Sequence, residues 1–160
     1  MISIVNTHDD SGRLLELFDD LLNLLPPGTA TLESMRTEKD DGTIIRLKPA
    51  NQRAAEFGAH IEDGGLSLID VFFGGGTTFE LPWEAKLPES ADIDAILGIV
   101  RGLGLAVIAG RCEERFGLLG VRGKIQVDET NVYRSTHYFY PRLYPKTVQY
   151  EPFCPGASKS

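Results

Sequence analysis

Cysteine is scarce in this chain: its 160 residues hold two, Cys112 and Cys154, and neither lies in a CxxC pair. A small secreted domain built on disulfides carries more. The expectation is therefore two free thiols in a reducing cytoplasm, with spacing alone leaving a Cys112–Cys154 bridge open. Histidine is as thin, with His8, His60 and His137 scattered through the sequence. Metal sites need such ligands to converge at helical or loop spacing. His60 and Glu62 do lie two residues apart, on one side of a strand, but a solvent-facing pair explains them better than a metal centre. The chain lacks the GxxxxGK[ST] and GxGxxG phosphate loops and the GxSxG nucleophile elbow. No cofactor is expected, and enzymatic activity is not favoured. Long apolar runs are missing too. The longest nearly uncharged stretch, residues 96–110, is broken by Arg101 and four glycines, too short for a hydrocarbon core of ~30 Å. The opening MISIVNTHDDSGR lacks the basic start and apolar run of a signal peptide. These absences point to a soluble cytoplasmic protein without a membrane partner.

Positive charge is also in deficit. Sixteen Lys and Arg face 23 Asp and Glu, giving a net charge of −7. That argues against a general duplex-DNA binder, which needs clustered cations to neutralise phosphates. The deficit is uneven. Residues 1–96 carry 18 acids and 7 bases, whereas residues 97–160 carry 5 acids and 9 bases. The two parts either neutralise each other across one sheet or segregate into two faces with different partners. One face could then also meet the opposite face of a second copy.

What is present is ordinary globular material, 42% hydrophobic and 24% charged. The length suits one domain, large enough to fold on its own core. Leu14, Phe18, Leu21 and Leu25 follow 4-3-4 spacing, which predicts a helix from about Ser11 to Leu25. Asp9, Asp10 and Ser11 are its candidate caps, and Pro26-Pro27-Gly28 stops it. Strands over 30–37 and 43–48 flank an Asp-Gly turn. AAEFGAHIE alternates, placing Ala55, Phe57, Ala59 and Ile61 on one side. LSLIDVFF is apolar on both sides and belongs in a sheet interior. TTFELPW places Phe79, Leu81 and Trp83 on one face, with Pro82 at an edge or strand end.

A second helix is expected from about Ser90 to Leu103, with Ile93, Ile96, Leu97 and Val100 as its stripe and Gly102 or Gly104 as its C-cap. Two strands, about 105–115 and 118–127, then form a hairpin around Phe116-Gly117. The glycines at 117, 120 and 123 suggest bulges. The order of elements predicts an α+β fold: one mostly antiparallel sheet of roughly six to eight strands, two amphipathic helices on one face and an extended C-terminal tail. Residues 1–129 form the single domain, and the Tyr/Pro-rich segment 130–160 wraps or extends it. The absence of βαβ alternation excludes a doubly wound nucleotide fold.

Few residues suggest chemistry. Gly74-Gly75-Gly76 reads as a hairpin turn, because a phosphate loop would be followed by a helix. Cys112 precedes Glu113 and Glu114, and acids raise a thiol pKa instead of activating it. Asp70 lies among apolar residues, so it is either a structural acid, ion-paired with Arg111 or Arg46 or placed at a sheet edge, or a raised-pKa pocket acid beside Trp83; the structural reading is favoured. The tail holds all five tyrosines, among them Tyr138, Tyr140 and Tyr144, interleaved with Arg134, His137, Arg142 and Lys146. Wrapping of a sheet edge is the favoured reading, ahead of a partner surface and, last, single-stranded nucleic-acid stacking.

The sequence thus suits a protein-interaction module of inhibitor or immunity type. Its acids would meet a basic protein partner, with Asp40, Asp41, Glu62 and Asp63 at two turn tips and Tyr138, Tyr140 and Tyr144 as contact residues. A homodimer is compatible with the tail and the sheet edges. A small-molecule or enzymatic pocket on the open sheet face is the alternative, and nucleic-acid binding by the tail comes third.

Overall fold

A computed structural model describes residues 7–38, 42–62, 69–81, 93–137 and 145–156. Its elements are α1 (Thr7–Asn23), β1 (Ala30–Arg36), β2 (Thr43–Pro49), β3 (Phe57–Ile61), β4 (Ile69–Phe73), β5 (Thr77–Leu81), α2 (Ile93–Ile108), β6 (Cys112–Gly117), β7 (Gly120–Gln126), β8 (Val132–His137) and β9 (Lys146–Gln149). The fold is α+β and its strand ladders are antiparallel. Instead of one sheet there are two: five strands in the order β1-β2-β3-β4-β5, and four in the order β8-β7-β6-β9. The five-stranded sheet is a meander, because each turn is too short to allow anything but pairing with the next strand. Trp83 and the tail tyrosines 138, 140 and 144 lie outside the described residues, as do Asp40, Asp41 and Asp63.

Alternation decides which face is buried. Leu47, Phe57 and Phe73 form one cross-sheet row of the inner face, and Ile45, Ala59, Val71 and Phe79 form the next. The stripe of α1 closes over them, with Leu14, Phe18 and Leu21 fully buried and Phe18 stacked on Phe57 at 5.3 Å. Helix α1 starts at Thr7, so Asp10 and Ser11 lie within it and do not cap it. Helix α2 packs against α1 and against β7, and the two sheets also meet directly where β5 touches β7 and β8. The helix runs to Ile108, past the predicted end at Leu103. Gly104 is not a cap: a Cβ there would sit 2.7 Å from Leu21 and 2.8 Å from Phe57, so the glycine lets two helices and a strand meet. The stop comes at Gly110, which has a φ of +74° and lies under Pro152.

The second sheet turns Cys112, Phe116, Val121 and Ile125 inward, and Cys112 and Ile125 join the same core as the first sheet. Its hairpin turns at Leu118-Leu119, and the ladder from Cys112–Ile125 to Gly117–Gly120 is continuous, so the glycines mark no bulge. Gly123 is small for another reason: a Cβ there would run into the side chain of Thr77 on the first sheet. The tail supplies both outer strands, β8 beside β7 and β9 beside β6. Beyond β9, Glu151 bridges to Ala54, its amide donates to the Arg53 carbonyl at 3.0 Å, and buried Phe153 donates its amide to Ile108 at 2.9 Å. Both cysteines are free.

Candidate functional site

The inner faces of the sheets are filled by the core, so surface chemistry is confined to their outer faces. On the five-stranded sheet, the register aligns Glu33, Arg46, Gly58, Phe72 and Thr78 in one row, and Met35, Ile44, His60, Asp70 and Glu80 in the next. Glu56 and Glu62 flank β3 with the same parity as the residues of these rows. Part of this face neutralises itself. Arg46 lies 3.2 Å from Glu56 and 4.0 Å from Glu33, and Lys48 lies 3.1 Å from Glu33. The Phe72 ring covers Gly58, leaving no space for a larger residue there.

The other end of the face is not neutralised. Asp70 stands directly across the ladder from Glu80 on one side and His60 on the other. Like charges placed opposite one another in a sheet are destabilising. Burial of Asp70 pushes its pKa above the ordinary 3.8, and Glu80 and Glu62 push in the same direction while His60 opposes them. The expected ion pair with Arg46 or Arg111 does not form. Asp70 pairs with His60 instead, Oδ2 to Nδ1 at 3.8 Å, because cross-strand pairing sets His60 beside it. Arg46 is occupied by Glu56, and Arg111 donates to the Gln126 and Val127 carbonyls. The second carboxylate oxygen of Asp70, Oδ1, is buried and has no hydrogen-bond partner among the described residues. Of the proposed contact acids, Glu62 is exposed, lies just beyond this row with the same parity and acts on Asp70. No group of three or more metal-binding side chains occurs among the described residues.

A second carboxylate is buried outright. Glu114, 0% exposed, reaches from β6 into the Gly74-Gly75-Gly76 turn of the first sheet. It accepts the Gly75 amide at 2.7 Å, the Thr77 amide at 3.0 Å, the Thr77 hydroxyl at 2.7 Å and the Tyr150 hydroxyl at 2.5 Å. The glycine turn does hold an anion, and that anion is the protein's own. Four donors compensate the desolvated charge, and the contact joins the two sheets. Burial, followed by the Glu114 hydrogen bond and charge, drives the Tyr150 hydroxyl pKa upward. Burial, reinforced by Glu114, pushes the Cys112 thiol to about 12, so this cysteine is no nucleophile. The sequence shows Glu114 only as an acid beside the Cys112 thiol, because it sits in the charged run Glu113-Glu114-Arg115. The available signal was parity: if Cys112 and Phe116 face inward, so does Glu114.

The outer face of the second sheet has the opposite charge. Arg134, Lys124, Glu113 and Gln149 form one row, and Thr136, Arg122, Arg115 and Thr147 form the next. That is four cations to one acid. A cavity of about 480 Å³ opens beside the β6–β7 hairpin, lined in part by Arg115, Phe116, Leu118, Leu119, Arg122 and Lys146. A smaller one of about 240 Å³ lies between Arg111, Glu113, Lys124 and Gln149. Asp70 lines neither. No helix among the described residues is long and apolar enough to cross a membrane. No family model, curated protein or solved structure matches this chain.

Proposed function

We propose that the protein is an interaction module of inhibitor or immunity type, and that the acid row Glu62, Asp70 and Glu80 receives a Lys or Arg side chain of a basic partner protein. The observation that supports this most is the Oδ1 atom of Asp70. It is buried, it belongs to a carboxylate whose ionisation its surroundings oppose, and it has no donor among the described residues. A partner cation against the exposed part of this face would relieve the repulsion from Glu80 and Glu62 and favour the ionised form of Asp70. Groups held in such an unfavourable state cluster at functional sites. Acidic surfaces of this kind also steer basic partners, raising association rates in a salt-dependent way.

The test is affinity capture from the native host, comparing the wild-type chain with the Glu62→Lys/Asp70→Asn/Glu80→Lys variant. The expected result is a basic protein retained by the wild type and lost from the variant, with capture falling as salt rises. Equal capture by both chains overturns the acid row as the contact surface. Circular dichroism confirms in advance that the variant is folded.

A further inference from the structure

The outer face of the second sheet holds a charge repulsion that its own ion pairs leave largely standing. Strand register sets Arg115 directly opposite Arg122, and Lys124 directly opposite Arg134. All four alternate with buried residues: Glu114 and Phe116 flank Arg115, Val121, Gly123 and Ile125 flank the two cations of β7, and buried Ser135 follows Arg134. They therefore leave the sheet on one side, away from the core. Like charges directly opposite one another destabilise a sheet, so two such pairs on one face are a cost to the folded chain. Glu113 is the one acid in these two rows, and its contact, at 3.8 Å, is with Arg115. Arg122, Lys124 and Arg134 enter no ion pair among the described residues. Asp128, in the turn between β7 and β8, is held by Thr130 and Asn131 and pairs with none of them.

The four cations form a compact oblique array. The two pairs are offset by two residues along the strands and by one strand across them, which puts their centres about 8 Å apart on standard strand spacings. Side chains of this length adjust that distance to the repeat between successive phosphates of an extended single strand. The remaining members of the two rows are Thr136, Thr147 and Gln149, neutral hydrogen-bonding groups with no apolar side chain among them. Such a face takes a charged ligand and gives an apolar one nothing to hold. Arg115, Arg122 and Arg134 are exposed and Lys124 is half-buried. Lys146 stands opposite inward-facing Phe116, so it belongs to the other face and takes no part.

We infer that this face binds a single strand of nucleic acid through its phosphate backbone, with one phosphate between Arg115 and Arg122 and a neighbouring one between Lys124 and Arg134. Three of the four cations are arginines, whose planar fork matches a phosphate and whose flat faces also stack on a base. The second property separates a nucleic acid from a polyanion without bases. A single strand follows the oblique array, whereas a duplex is a stiff convex cylinder that meets an open sheet along one line. Phosphate contacts carry no sequence information, so the strand is held without sequence preference. The site spans the low end of single-strand site sizes, about four nucleotides. Because it lies on β6, β7 and β8, it stands or falls independently of the acid row.

The test is fluorescence anisotropy of a labelled twelve-nucleotide thymidine strand titrated with the full chain, from about 0.02 to 0.2 M salt. Saturable binding is expected, with a slope of log affinity on log salt of about −3, the value for four neutralised phosphates of a single strand. Arg122→Glu and Arg134→Glu should each weaken binding at least tenfold at the lowest salt, with circular dichroism confirming that both variants are folded. Lys124→Gln, a milder change, should bring the slope to about −2. An abasic strand of the same length and the strand annealed to its complement should each bind at least threefold more weakly. Failure to saturate at the lowest salt, a slope shallower than about −1, or binding unchanged by both charge reversals overturns the site. Equal binding of the abasic strand or of the duplex overturns the assignment to single-stranded nucleic acid.

Discussion

Among the described carboxylates drawn away from bulk water are Glu114 and Asp70, and their surroundings give these two opposite effects on stability. Glu114 is fully buried and accepts four hydrogen bonds. Asp70 is partly buried, faces Glu80 across the ladder and has one oxygen without a donor. Neutralising each should therefore change stability in opposite directions. Glu114→Gln places an amide group among four donors and should cost about 2–4 kcal/mol in urea unfolding, the scale of lost charge-assisted hydrogen bonds plus unpaired buried groups. Tyr150→Phe, which removes one of the four, should cost less. Asp70→Asn should stabilise the protein at pH 7 by roughly 0.5 kcal/mol, the scale of one unfavourable cross-strand charge pair. The pH dependence follows from the raised pKa. Below the ordinary 3.8, Asp70 is protonated in both the folded and unfolded chains, so the variant gains nothing. As pH rises from there through the native pKa, the unfolded chain ionises first and the wild type loses stability. The gain from Asp70→Asn should appear in that window and persist above it. A stabilisation of equal size at pH 3 contradicts this account.

Helix α2 shows how a residue type acquires opposite meanings within one element. Gly98 is exposed, with nothing within 4 Å of where a Cβ would be, whereas at Gly104 a Cβ would lie 2.7 Å from Leu21 and 2.8 Å from Phe57. Gly98→Ala should stabilise the protein by about 0.5–1 kcal/mol through helix propensity alone. Gly104→Ala should destabilise it by about 1–3 kcal/mol, because overpacking outweighs the same propensity gain. Thermal unfolding of the two variants separates these effects, and shifts of the same sign refute the packing argument. Sequence alone could not make this distinction, since both glycines lie in one apolar helical run. Gly102 and Gly104 therefore read as a helix end, and residues 105–108 read as the start of a strand, whereas α2 continues to Ile108. Where periodicity was unambiguous, the elements were legible. The Leu14, Phe18 and Leu21 stripe of α1, the alternation of Ala55, Phe57, Ala59 and Ile61, and the antiparallel pairing of β1 with β2 all appear in the structure, although α1 ends at Asn23, short of Leu25. The division into two sheets was not legible, because it depends on which of the distant strands β6–β9 form a ladder with β1–β5, and none does. Local pattern carries no information about such pairing. The candidate site was less legible still: only Glu62 and Asp70 of the proposed residues fall within the described structure, and the partner of Asp70 follows from strand register.

At the scale of the whole molecule, the charge asymmetry along the sequence becomes an asymmetry in space. The outer face of the first sheet carries Glu33, Glu56, Glu62, Asp70 and Glu80 against Arg46 and Lys48, and that of the second carries Arg115, Arg122, Lys124 and Arg134 against Glu113. Each sheet turns its other face into the common core, so these two charged faces look outward and do not neutralise each other through direct contact. A net charge of −7 therefore misdescribes how the protein meets other molecules. At pH 7 and low salt, the chain should be retained on a heparin column despite its acidic pI of about 4.9, because the basic face can present itself alone to the resin. Retention should vanish by about 0.1–0.2 M salt, where the Debye length contracts to about 10 Å and below. The Arg122→Glu/Lys124→Glu/Arg134→Glu variant should flow through, while Glu62→Lys/Glu80→Lys should be retained more strongly than the wild type. A uniformly acidic protein has no electrostatic attraction to heparin at any salt concentration and flows through. Flow-through of the wild type at low ionic strength would therefore show that the cations of the second sheet are masked, and that the two faces do not act separately.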